Sequence, residues 1–305
     1  MSEQSRTEER GDARPLPGWV DLNLNAIPAV PLGILAAVVL VRLTMAEVTL
    51  VTVFAYPPYE QPIFGPIWIA TDGYLSAQTI VHLVMLAVVV VIPLWYVRDL
   101  KPRHLGLDRR ALPVGAVVIL SLWVGLQLVG AAVAGLDGSV TFSRSWQALG
   151  VAGWTKALIP EFFGSTLSEE VHYRGLLLAQ GYLIAKRFTI DRRVALVASL
   201  LVVQAWFAVV HIPARLVQGA PLPLPVDILG VFLLGIVFAL VYLRIGNLFL
   251  AVGVHALTND PAPLFVDPPL ARAIVLGLTV LLLVVWPDLR RRMEDGSRGF
   301  RPGNQ

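Results

Sequence analysis

The chain reads as an all-α polytopic membrane protein with about eight transmembrane helices. Two observations carry this. Hydrophobic residues make up 56% of the sequence and charged residues only 15%, whereas a soluble domain is about 25% charged. The charges also fall in short clusters between long apolar runs, the pattern of successive spans of roughly 20 residues each.

The spans follow in order. The first runs from about Ala26 to Val51, the second from Tyr74 to Val97 and the third from Leu112 to Ala134. The fourth, Thr155 to Ala185, is long and carries two adjacent glutamates. The fifth is Val194 to His211 and the sixth Val226 to Leu243. The seventh, Leu248 to Asn259, is too short for a full span and is expected to be a partial span packed among its neighbours. The eighth is Leu270 to Trp286. Proline-rich breaks separate them at Tyr56-Pro57-Pro58, at Pro221, Pro223 and Pro225, and from Pro261 to Pro269, because proline removes a helix donor and clashes with the preceding turn. One membrane domain is expected over 26–287, with a motif-bearing core at 164–260. A flexible polar tail (1–25) precedes it and a basic tail (288–305) follows.

The net charge of +3 and pI near 9.4 do not point to nucleic acid, because the basic residues sit at helix ends, where they orient the chain. One side holds Arg6, Arg10 and Arg14, then Arg98, Lys101, Arg103, Arg109 and Arg110. It also holds Lys186, Arg187, Arg192, Arg193 and Arg244, and finally Arg290, Arg291, Arg292, Arg298 and Arg301. The other side has only Arg144, Lys156, Arg215 and Arg272. This bias places a multi-pass protein in the cell membrane with both termini cytoplasmic. The chain has no cysteine, which excludes disulfides, thiolate metal ligands and a cysteine nucleophile.

Three polar clusters stand in this apolar background, and ionisable groups within a span are functional candidates by default. The first is Ser168-Glu169-Glu170-Val171-His172-Tyr173-Arg174. Glu170 and Arg174, four apart, share a helix face and can pair. Glu169 is turned away by roughly 100° and is free to face a cavity, where desolvation would make its carboxylate a stronger base. The bland alternative is a structural ion pair, which would not need the second carboxylate. In the second cluster Phe207 and His211 share a face. His211, near the end of its span, could by itself be an interfacial residue. In the third, His255 and Asn259 share a face of the short helix. Asn259 could simply end that helix, but His255 follows an apolar run with no partner nearby in sequence.

In order along the chain these clusters read Glu-Glu-x-x-x-Arg, Phe-x-x-x-His and His-x-x-x-Asn. The ordered trio, from about Gly164 to Asp260, resembles the CPBP family of intramembrane endopeptidases, also called the CAAX-protease and bacteriocin-processing or Abi family, which includes the type II CAAX prenyl endopeptidases. The resemblance implies a glutamate-dependent intramembrane peptidase with its site in a cavity among the fourth, fifth and seventh helices. It implies that Glu169 and His211 activate a water, that His255 and Asn259 donate to the oxyanion, and that Glu170, Arg174 and Phe207 support them. Amide hydrolysis needs such a base and such donors. The implied partners are the bilayer and a peptide or membrane-protein substrate.

No cofactor is expected. Zinc is the alternative, since two His and one Glu form a known catalytic set, although the His-Glu-x-x-His pattern is absent. Gly164-Ser165 lacks the rest of a serine-hydrolase signature, and Asp227 has no convincing aspartate partner. A non-proteolytic scaffold or bacteriocin-immunity protein, binding a partner through the same cavity, is the rival function. A proton-relay transporter is a third reading, weakened by the lack of paired broken helices. Of the remaining polar residues, His172 could touch Glu169 or face a polar cavity. His82 reads as a hydrogen-bonded core or interfacial residue. Arg42 would snorkel to an interface or meet Glu47. Trp68, Trp95, Trp146, Trp154 and Trp286 read as an interfacial belt.

Overall fold

A backbone in hydrocarbon must satisfy its own N–H and C=O groups, which a helix does within one segment. In the computed structural model, every regular element among the described residues is helical. The structure describes residues 16, 20, 22–53, 56–61, 63–136, 138, 140–189, 191–219 and 222–299, without the side chains of 47–53, 218 and 293–299.

Among the described residues eight main helical units, with short helices at Gly65–Ala70 and Ile212–Gln218 between them, follow one another. They are α1 (Leu32–Val53), α2 (Ala77–Tyr96), α3 (Leu112–Leu136), the composite α4, α5 (Arg192–Val209), α6 (Leu224–Ile245), α7 (Leu248–Asn259) and α8 (Pro268–Gly299). Five are long and apolar enough to cross a membrane: α2, α3, α5 with its continuation to Val217, α6 and α8. The chain is a polytopic helical membrane protein. Side-chain caps set several starts. Ser76 accepts from the Thr79 N–H, Asp191 from those of Arg193 and Val194, and Asn247 from that of Leu250. Gly246 ends α6 in the left-handed region at φ 71°, which glycine adopts without a Cβ penalty. Chain reversal into α7 therefore takes only Gly246 and Asn247.

The unit α4 is not one uniform helix. Gly150, at φ 58° and ψ −170°, breaks the segment Arg144–Pro160. From there helix runs on through a π segment at Glu161–Thr166, an α turn at Leu167–Glu170, a second π segment at Val171–Leu177 and an α segment at Leu178–Ala185. The glutamate pair thus sits on one tight turn between two wide ones.

Several limits differ from those expected. α1 starts at Leu32, because Pro28 and Pro31 precede it and the chain there docks on the end of α4. Val30 N–H donates to Gln180 Oε1 (2.8 Å) and Gln180 Nε2 donates to the Pro28 carbonyl (3.0 Å). Leu24 is fully buried, and Asn25 Oδ1 accepts from Tyr182 and Lys186. Residues 1–15, most of the expected tail, lie outside the described residues, as do 300–305. α8 continues past Trp286 to Gly299. Past His211, the chain re-enters helix at Ile212–Gln218, with Pro213 in its first turn. Trp95 is exposed, but Trp154 and Trp286 are buried at 5% and 6% exposure. Those two pack into the bundle rather than joining a belt.

The short helix α7 is the hub, with every residue buried except Phe249 and Asn259. At the end of the bundle where α4 finishes, the loop between α2 and α3 lies against α4 and α7. Gly106 abuts Leu248, and Gly175 abuts the Leu105 carbonyl so closely that a Cβ would collide with it. A backbone carbonyl has little room to move, so Gly175→Ala is expected to cost about 1–3 kcal/mol or more through overpacking. A lowered melting temperature of the purified protein in detergent would show this.

Candidate active site

The three clusters converge on one cavity of about 740 Å³. Glu169, Phe207, His211, His255 and Asn259 all line it, from α4, α5 and α7. α1 and α2 line it too, through Arg42 and His82, and α6 and α8 contribute Asp227 and Arg272.

Glu170 and Arg174 lie beneath its wall and are both fully buried. Arg174 Nη1 meets Glu170 Oε1 at 2.9 Å, and Nη2 donates to the Gly235 carbonyl at 3.1 Å. The guanidinium also lies over the Phe207 ring, 4.4 Å from its centroid. That stack places Phe207 as a wedge between the buried charge and His211, whose ring meets it edge-on at 4.6 Å. Glu170 Oε1 has a second partner, His255 Nδ1, at 2.8 Å. The buried pair therefore anchors the third cluster to the first, and α7 to α4.

Glu169 points the other way, into the cavity, with 14% of its side chain exposed. One carboxylate oxygen lies 3.9 Å from His82 Nε2 and the other 3.9 Å from His255 Nε2. The histidine tautomers follow from their other partners. His82 Nδ1 lies 2.8 Å from the Gln78 carbonyl, and His211 Nδ1 lies 2.6 Å from the Phe207 carbonyl. A carbonyl only accepts, so Nδ1 carries the proton in both and Nε2 is left to face the cavity.

Two charged participants had no clear place in the sequence reading. Glu161 Oε1 accepts from Asn259 Nδ2 at 2.7 Å, and its Oε2 accepts from Ser165 Oγ at 2.8 Å. Glu161, Ser165 and Glu169 are spaced i, i+4, i+8, a polar stripe that was there to be noticed. Arg42 does not snorkel. It is 8% exposed, donates from Nη1 to Ser168 Oγ (3.1 Å) and lies over the Tyr173 ring. The Glu47 side chain, its alternative partner, lies outside the described residues. His82 is both a hydrogen-bonded helix residue and a neighbour of Glu169. His172 is buried, faces the cavity and packs edge-on to Tyr173, and among the described residues neither ring nitrogen has a hydrogen-bond partner.

Asn259 is the last residue of α7, and its own carbonyl accepts from Arg272. Asp227 pairs with Arg215 at 3.0 Å rather than with another aspartate. Among the described residues, no three His, Asp or Glu side chains form a group that could hold a metal ion.

The arrangement offers a partly desolvated carboxylate, the His82 and His255 Nε2 atoms beside it, and His211 and the Asn259 amide on the wall of the same cavity. That is the equipment for activating a water and receiving negative charge on a carbonyl oxygen. Residues 151–259 match a family model described as Type II CAAX prenyl endopeptidase Rce1-like. No curated protein and no solved structure matches the chain. The matched stretch begins just after the Gly150 break, ends at Asn259 and contains all three clusters. Over residues 151–259 the chain is therefore similar to the type II CAAX prenyl endopeptidases, Rce1-like.

Proposed function

We propose that this protein is an intramembrane endopeptidase of the glutamic type, with both termini in the cytoplasm. The observation that carries the reading is Glu169, facing a cavity between two imidazoles at 3.9 Å each. Polar groups at such a separation are readily joined by one water at hydrogen-bonding distance from each.

Glu169 takes a proton from that water as its oxygen bonds to the scissile carbonyl carbon. His211 Nε2 orients the water. The carbonyl π pair moves to oxygen, and the oxyanion accepts hydrogen bonds from His255 and Asn259. The intermediate then collapses, the C–N bond breaks, and Glu169 passes its proton to the departing amine nitrogen. Atoms and charge balance with no covalent enzyme intermediate and no cofactor.

The hydrogen bonds add detail to these roles. His255 Nδ1 is engaged by Glu170, so Nε2 donates when the ring is doubly protonated. Glu170 supplies the countercharge for that imidazolium. Asn259 has a second amide hydrogen besides the one given to Glu161, and Glu161 fixes the amide's direction. Glu161 is a positioning residue here. Asn259→Ala is expected to lower kcat by about 10²–10³-fold. KM should change little, because the lost bond forms chiefly in the transition state.

The test is an unbiased comparison of membrane and secreted peptides between cells with the wild type and cells with Glu169→Ala. Fragments that vanish in the variant are expected. An unchanged peptide set, with the variant present in the membrane, would overturn the peptidase reading. Partner binding that survives Glu169→Gln would then favour the scaffold.

A further inference from the structure

We infer that His82 is a further catalytic residue, which takes up the second proton of the attacking water. Because that step belongs to peptide hydrolysis, the role rests on the function proposed above. His82 lies on α2, outside the stretch 151–259 that matches the family model, so the likeness assigns it nothing.

Its placement is firm. α2 is held close to α4, where Gly164 lies directly against Thr79. One turn before His82, the Gln78 carbonyl accepts from Nδ1 at 2.8 Å. The ring proton is therefore on Nδ1, and the Nε2 lone pair faces the cavity. The side chain is 11% exposed, and Nε2 sits 3.9 Å from Glu169 Oε1. A lone pair and a carboxylate oxygen are both acceptors, so they repel across that gap unless a hydrogen lies between them. Either a water donates to both or a proton sits on Nε2. The pair is built to exchange a proton rather than to hold one fixed hydrogen bond.

Peptide hydrolysis moves two protons. Glu169 carries the first from the water to the departing nitrogen. The second stays on the oxygen that attacked, so cleavage of the C–N bond leaves a carboxylic acid in the cavity. His82 Nε2 accepts that proton: the carboxyl O–H bond breaks, an N–H bond forms, and the acyl product becomes a carboxylate. Glu169, ionised again, faces the new imidazolium at 3.9 Å, an attraction that the low dielectric strengthens. The imidazolium then gives its proton to the freed amine, which leaves as an ammonium, and His82 is neutral for the next turnover. His255 is poorly suited to this step, because its Nδ1 is held by Glu170 and its Nε2 already donates to the oxyanion. Glu169 on α4, Arg42 on α1 and His211 beyond α5 are the charged and titratable groups that face His82. Arg42 bears a like charge, which favours handing the proton on over storing it.

The test uses the full-length protein in detergent and a peptide whose cleavage is lost in Glu169→Ala. His82→Gln keeps an acceptor but cannot hold the proton. It is expected to lower kcat by about 10²-fold, as loss of a positioned proton acceptor does, with KM and melting temperature little changed. In His82→Ala, added imidazole is expected to restore turnover in proportion to its free-base concentration, and the rescue should follow imidazole's own titration with pH. A side chain that only packs would produce neither effect. His82→Gln at the wild-type kcat would overturn the role, as would a loss in His82→Ala that imidazole does not restore. Rescue confined to His211→Ala would give the second proton to His211 and overturn it too. Full activity of His82→Gln beside an inactive Glu169→Gln removes this role alone. Full turnover of Glu169→Gln removes the proposed function, and this role with it.

Discussion

Replacing Glu169 with glutamine is expected to lower kcat by about 10²–10⁴-fold, the usual contribution of a positioned general base, with the protein still folded and inserted. Glutamine keeps the shape of the side chain and can still hydrogen-bond a water, but it cannot take the water's proton. Glu170→Gln is the informative contrast. Its target is a fully buried acceptor held by Arg174 and His255, so stability should fall along with activity. Measured by single-turnover cleavage and by melting in the same detergent, Glu169→Gln should lose turnover with an unchanged melting temperature. Glu169→Gln at full turnover would remove Glu169 as the base.

Arg174→Met carries the largest expected loss of stability, about 3–5 kcal/mol, because it leaves Glu170 charged and buried without its cation. The Phe207 ring also loses the guanidinium 4.4 Å above it, which is worth about 0.5–2 kcal/mol. The double variant Glu170→Gln/Arg174→Met removes both charges and should be more stable than Arg174→Met alone, since a buried pair exchanged for neutral groups is often nearly neutral. Thermal unfolding of the three proteins measures the coupling. A double variant no more stable than Arg174→Met would mean that the guanidinium acts chiefly through the Gly235 carbonyl and the rings.

The bundle itself was legible because lipid leaves a backbone few options. Apolar runs set off by proline clusters had to be helices, and the limits of α7 could be read directly between Asn247 and Asp260. The face shared by Glu170 and Arg174 was equally plain, since four residues span one turn. His82, Arg42 and Glu161 could not be placed, because each takes its meaning from a residue far along the chain. His82 is defined by Glu169, Arg42 by Ser168 and Glu161 by Asn259. The inward packing of Trp154 and Trp286 was hidden for a similar reason: an indole near a helix end serves an interface or a core equally well. The two π segments left no mark in a periodicity assumed to be 3.6 residues throughout.

Those wide turns carry a consequence for how the chain can change length. A π turn closes its hydrogen bond one residue later than an α turn does, so each holds one residue of slack. Deleting a single residue between Glu161 and Glu169 could be absorbed by tightening the first wide turn. Tightening takes up the lost residue without turning the helix on either side, so Glu161 can stay on Asn259 while Glu169 keeps its place beside His82 and His255. Deleting one between Glu170 and Leu177 would use the slack of the second wide turn, but there it removes or displaces one of the buried residues Val171 to Leu176. The first wide turn is therefore a splice that can be reset at the edge of the cavity, and the second is one whose resetting disturbs the packed wall beside the glutamates.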